Sequence, residues 1–182
     1  MEAADPRVSI YYEAGLQWQD WRATRDVISG RGINRQIQRA YGHLASRYHP
    51  GDRIILLGYS RGAFAVRSLA GVIDRIGLVR ASEATERNVA LAYRHYQADE
   101  ITPAARDFSH AHCLPGVEIE MVGVWDTVKA LGIIMPVLWR LSVPAHAFHD
   151  HTLGRAIRHG YHALALNERR VVYNSVLWDV PD

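Results

Sequence analysis

The segment of this sequence whose residue types and spacing best fit a chemical task is Gly58-Tyr59-Ser60-Arg61-Gly62. A serine with glycine two residues before and two after is the G-x-S-x-G pattern. In it, a sharp strand-to-helix turn lifts a nucleophilic hydroxyl above a sheet. Such a turn strains the backbone and crowds its neighbours, so both glycines are expected to remove Cβ atoms that would clash. The N–H of the next residue, Arg61, is placed to help hold an oxyanion, and the helix that follows adds its positive end. Five residues match by chance in roughly one chain in twenty of this length, so context has to carry the argument. It does: the apolar run Arg53-Ile-Ile-Leu-Leu-Gly58 leads straight in, and a stretch rich in small residues (Ala63, Ala65, Ser68, Ala70, Gly71) leads straight out.

Acyl transfer through a serine also needs a base, and the base needs an orienting carboxylate, in the chain order Ser, acid, His. Asp126 follows Met121-Val-Gly-Val-Trp125, the point where a strand's carboxyl end opens into a crevice. Its competing role is a helix N-cap for the segment starting at Thr127. His162 comes after Asp126, so the order is right, but it reads as lying inside a helix. There, a packed histidine hydrogen-bonded to a neighbour is an equal alternative. His146, His149 and His151, with Asp150 adjacent, are better read as a polar loop than as metal ligands. No cofactor or metal is expected. Cys113, the one cysteine, cannot form an internal disulfide and is read as an inert thiol.

These residues need elements to position them. Val8 to Tyr12 alternates and reads as a short strand, and residues 13–32 read as a long surface segment. Ile33, Ile37, Tyr41, Leu44 and Tyr48 fall at helical spacing, and His49-Pro50-Gly51-Asp52 turns the chain. The run ending at Gly58 reads as a strand buried on both faces. A helix is expected from Arg61 to Ile76, stopped by Gly77, and another from Glu83 to Tyr96. Ile101 to Pro115 reads as a polar loop, and Val117 to Trp125 as a second buried strand. His151 to Glu168 reads as a helix and Arg170 to Trp178 as a strand. Strands alternating with helices predict an α/β fold, hydrolase-like, with a mainly parallel sheet in a single domain spanning residues 1–182.

Composition agrees with a globular chain of 182 residues: 48% hydrophobic and 22% charged. A formal net charge of +2 is too small to argue for nucleic acid or an acidic membrane as partner. The N-terminus lacks a signal-peptide apolar region, so a cytoplasmic location, or export by a signal-peptide-independent route, is expected. Ala130 to Val143 is the most apolar stretch, but Gly132, Pro136 and Arg140 interrupt it, so it is too short to span a bilayer. It reads as a pocket lining or lid; an acyl chain or peripheral contact with a lipid surface would also suit it. A nucleotide-binding domain is disfavoured, because the turn has neither the Gly-x-Gly-x-x-Gly nor the Gly-Lys-Ser/Thr pattern.

Taken together, the segments Pro50-Gly-Asp-Arg-Ile-Ile-Leu-Leu-Gly-Tyr-Ser-Arg-Gly-Ala63 with Arg67-Ser-Leu-Ala-Gly71, Gly123-Val-Trp-Asp-Thr-Val128 and His162-Ala-Leu-Ala-Leu-Asn-Glu-Arg-Arg170 resemble a known family. It is the α/β-hydrolase domain of unknown function shared with the first family of type VI secretion phospholipase effectors. Gly30-Arg-Gly-Ile33 and Leu177-Trp178 are weaker echoes, and the resemblance runs from about residue 10 to 180. It implies a Ser-Asp-His esterase or lipase acting on a small-molecule or lipid ester, with Ser60 and Asp126 carried over directly. It also implies that the chain is truncated at both ends. The family pattern opens with a Phe-Asp-Gly-Thr-type loop, a natural place for part of the oxyanion hole, and continues past Val180-Pro-Asp182 to a His-Ser-Asp run. The histidine of that run rivals His162 as the base. Asn167 departs from the family's usual Asp. A second reading, a non-catalytic or degenerate fragment acting only through partner contacts, stands beside the enzymatic one.

Overall fold

The computed structural model describes residues 7–14, 31–98, 100–125 and 153–164. In chain order the elements are α1 (Arg31–Arg47), β1 (Ile54–Tyr59), α2 (Arg61–Arg75), β2 (Leu78–Val79) and a 3-10 turn (Ala81–Glu83). They continue with α3 (Glu86–Tyr96), α4 (Pro103–His112), β3 (Cys113–Leu114), β4 (Ile119–Trp125) and β5 (Ile157–Ala163). Strands β1, β4 and β5 form a parallel sheet in the order β1-β4-β5, and β2 pairs with β3 in a small antiparallel ribbon. The fold is α/β, a parallel sheet flanked by helices, and is compatible with a hydrolase-like architecture.

Helix α1 forms where the four-residue spacing predicts it. Ile33, Ile37, Tyr41 and Ala45 are buried along one stripe, which packs on α2 and α3. The buried Tyr41 hydroxyl donates to the Gly77 carbonyl at 2.8 Å and accepts from the Val79 N–H at 3.1 Å, so both of its hydrogen-bonding roles are met. The turn after α1 closes as expected. The His49 N–H donates to Asp52 Oδ2 at 2.8 Å and the Asp52 N–H to the His49 carbonyl at 3.0 Å. Helix α2 stops at Gly77, whose φ of 101° lets its N–H reach back to the Val72 and Ile73 carbonyls. Between its ends α2 covers β1 and β4, bringing Ala63, Phe64, Leu69, Ala70 and Ile73 into one core with Leu56, Ile119, Val122 and Val124.

Several expectations are corrected. β1 is not buried on both faces: Ile54, Leu56 and Gly58 face the core, while Ile55, Leu57 and Tyr59 are 55%, 56% and 70% exposed. Among the described residues, helices cover only one side of the sheet, so a continuous apolar run is buried at every second position. The polar region from Ile101 holds helix α4. Thr102 caps it, accepting from the Ala105 N–H at 3.1 Å, and Pro103 opens its first turn. Val8 to Tyr12 is not a strand and lies largely exposed, with Tyr11 and Arg39 both bonded to Glu13. The expected Glu83–Tyr96 helix begins only at Glu86, after Thr85 accepts from the Asn88 N–H. The segment read as a helix from His151 instead contains strand β5, hydrogen-bonded to β4. The expected strand at Arg170–Trp178 and the apolar stretch Ala130–Val143 lie outside the described residues. No helix among the described residues is long and apolar enough to cross a membrane.

Candidate active site

Ser60 sits between the last residue of β1 and the first of α2 with φ 54° and ψ −115°. A positive φ is uncommon for a residue with a side chain, and only its surroundings can hold Ser60 there. Three backbone bonds do so: its N–H donates to the Trp125 carbonyl at 2.9 Å, and its carbonyl accepts from the Ala63 and Phe64 N–H groups at 3.1 and 3.3 Å. Ser60 occupies the helix N-cap position, where serine normally turns its hydroxyl onto the first-turn N–H groups. Here the side chain makes no capping bond. The hydroxyl is therefore not spent on the helix, and the side chain is half-buried at the carboxyl end of the sheet.

The two flanking glycines differ. A Cβ on Gly58 would lie 2.5 Å from the Gly62 carbonyl oxygen and 2.7 Å from the Ala63 nitrogen, so a side chain there would drive β1 and α2 apart. A Cβ on Gly62 would meet nothing within 4 Å. The expected clash is thus real at the first glycine and absent at the second, which faces open space beside the turn. Arg61 opens α2, so its N–H belongs to the first turn, whose donors have no intrahelical acceptor. That turn holds no acidic residue of its own, and the positive end of the helix dipole lies next to Ser60.

Of the other expected residues, the structure describes His162, which lies on a strand beyond. Tyr59 pairs with Trp125, Gly58 with Val124, and Val124 with His162. Gly58, Val124 and His162 therefore share one row across the sheet. Because paired positions project to one side and Gly58 faces α2, His162 lies on the α2 side. The row places His162 two strand spacings from β1, about 10 Å between backbones. So the ends of β1 and β4 are brought together at Ser60 and Trp125, while His162 sits one strand further, at the same end of the sheet. His162 is on a strand and not within a helix, as its sequence suggested. Asp126, the residue after Trp125, lies outside the described residues, as do His146, His149, Asp150, His151 and Asn167.

Among the described residues no group of three or more His, Cys, Asp or Glu side chains could hold a metal. Cys113 is buried, and burial pushes its thiol up to about 11, so it stays protonated and unreactive near neutral pH. One residue the sequence did not single out takes part in the framework: Asp74, near the end of α2, accepts from the Ala156 N–H at 2.7 Å, just before β5. The available signal was an acidic residue in the last turn of a helix, the unfavourable end for a negative charge. Because the sequence places the end of this helix at Ile76, the signal can be read there, but its partner Ala156, 82 residues on, cannot.

This is a serine at a strained strand-to-helix turn, on a parallel sheet, as in an α/β hydrolase. The family model for the T6SS phospholipase effector Tle1-like catalytic domain matches residues 2–182, and the chain belongs to that family. A catalytic domain of this kind implies phospholipase or esterase chemistry. The uncharacterized protein YEL023C of Saccharomyces cerevisiae is 30% identical over 156 residues, covering 80% of this chain and 21% of that protein. The chain therefore spans about a fifth of the length of that relative. No solved structure matches it at a significant level.

Proposed function

We propose that this chain carries the nucleophile of a serine hydrolase acting on carboxylic esters, in particular lipid esters. The observation that carries the reading is Ser60 itself: an N-cap serine held at φ 54° whose hydroxyl does not cap its helix. Ser60 Oγ attacks the ester carbonyl carbon as His162 takes its proton, with Asp126 orienting the imidazole. The carbonyl oxygen, now negative, lies toward the Arg61 N–H at the positive end of α2. Collapse expels the alcohol, which takes the proton back from His162, and water then releases the acid by the same steps reversed. Loss of one oxyanion donor typically costs about 3–4 kcal/mol of barrier, so a second donor beside the Arg61 N–H would matter greatly.

The family supports the substrate class, and the sequence order Ser60, Asp126, His162 supports the roles. Hydrolysis of a short p-nitrophenyl ester and of a phosphatidylcholine vesicle, both abolished by Ser60→Ala, is the expected result. If Ser60→Ala leaves hydrolysis unchanged, the assignment fails. If neither wild type nor variant hydrolyses any ester, the non-catalytic reading takes its place.

A further inference from the structure

The position of His162 depends on the register of β5 against β4, and β5 has little in its own sequence to set that register. Register is normally selected by an apolar face, and a slip of one residue sends every side chain to the opposite face. In β5 five of seven residues are exposed, and only Ile157 and His162 are half-buried. Among the described residues β5 is also an outer strand, paired on one side with β4. Its register must be held from outside.

The contacts that hold it converge just before the strand begins. Asp74 Oδ1 accepts from the Ala156 N–H at 2.7 Å, and the Ala156 carbonyl accepts from the Ile119 N–H at 2.7 Å. The Ile157 N–H closes a turn onto the Gly154 carbonyl at 3.1 Å. Gly154 lies flat against the carboxylate: a Cβ there would stand 2.5 Å from Asp74 Oδ2. The Arg158 ion pairs with Glu118 and Glu120 add to this, but they are exposed and so weak. Asp74 is placed where the helix dipole disfavours it, which fits a residue kept for a contact and not for helix stability.

The lengths match. Ser60 and Asp74 are separated by 14 helical residues, about 21 Å along α2. Ala156 and His162 are separated by six strand residues, about 20 Å along β5. Helix and strand run in opposite directions, so pinning residue 156 at the far end of α2 brings residue 162 level with Ser60 at the near end.

We infer that Asp74 is a positioning residue: by fixing Ala156 it sets the register of β5, and so the height and face of His162 relative to Ser60. The inference rests on the reading of His162 as the base. Two readouts separate its failure from the failure of that reading. The first is register, read by disulfide formation between cysteines at the paired positions Met121 and His159. The second is the rate at which a fluorophosphonate labels Ser60. Asp74→Ala is expected to abolish the Met121→Cys/His159→Cys crosslink and to slow labelling at least tenfold. Asp74→Asn, whose amide oxygen still accepts from Ala156, should restore both to within about threefold. Gly154→Ala, which displaces the carboxylate without altering α2, should act as Asp74→Ala does and serves if that variant fails to fold. An intact crosslink in both Asp74→Ala and Gly154→Ala overturns the role of Asp74. A lost crosslink with unchanged labelling shows that Asp74 sets the register but that His162 is not the base, and overturns the positioning role.

Discussion

Substituting the two glycines around Ser60 one at a time should have opposite consequences, although the motif treats them alike. A methyl group at position 58 would sit 2.5 Å from the Gly62 carbonyl oxygen and 2.7 Å from the Ala63 nitrogen. Real Cβ atoms essentially never approach closer than 3.0 Å, so Gly58→Ala must move at least one backbone by about 0.5 Å. Both obstacles are main chain in the first turn of α2 and cannot swing aside. Overpacking of this kind typically costs about 1–3 kcal/mol, and the segment forced to move is the one that holds Ser60 at φ 54°. Misplacement on the order of 1 Å at a reacting centre can lower a rate by about 10²-fold. Gly62→Ala adds its methyl to open space in the first turn of a helix. There alanine is favoured over glycine by about 0.5–1 kcal/mol. Urea unfolding should therefore show Gly58→Ala destabilised by about 1–3 kcal/mol and Gly62→Ala unchanged or slightly stabilised. Fluorophosphonate labelling should fall by about an order of magnitude, half the logarithmic loss of a 1 Å misplacement, in the first variant only. Equal stability and equal labelling in the two variants would refute the steric account of the turn.

Two further outcomes follow from buried groups. Tyr41→Phe removes the acceptor of the buried Val79 N–H and the donor to Gly77, and should cost about 1–3 kcal/mol in the same unfolding experiment. A change below about 0.5 kcal/mol would mean that water replaces the hydroxyl. Cys113 should resist iodoacetamide at pH 8 in the folded chain and react once urea unfolds it. Because burial raises its folded value from 9.0 to about 11, the thiol's contribution to stability is complete below about pH 9. It should be lost as pH rises toward 11, and unfolding midpoints across that window would check it.

The sequence was legible where the signals are local and repeated. The stripe Ile33, Ile37 and Tyr41, the His49–Asp52 turn and the stop at Gly77 each arise from one element's own residues and are found where expected, while the stripe continues through Ala45, with Leu44 and Tyr48 only partly buried. The G-x-S-x-G turn was legible for the same reason, since Gly58 has to admit α2. Helix α4 is hard to see in the sequence because the polar content of Ile101 to Pro115 masks its start signal, Thr102 followed by Pro103. Strand β5 is not legible locally, because Ile157 to Ala163 carries no alternation and its conformation comes from β4 and from Asp74 on α2, contacts remote in sequence. β1 looked buried on both sides because its apolar run is continuous, and nothing within six residues tells which faces will be covered.

The central claim is that Ser60 is a nucleophile, and the most direct measurement is the site of covalent modification by a fluorophosphonate, mapped by peptide mass spectrometry. A single adduct on the peptide containing Ser60, absent after Ser60→Ala and after heat unfolding, is the predicted result. An unmodified Ser60, or an adduct on another serine that survives Ser60→Ala, would contradict it.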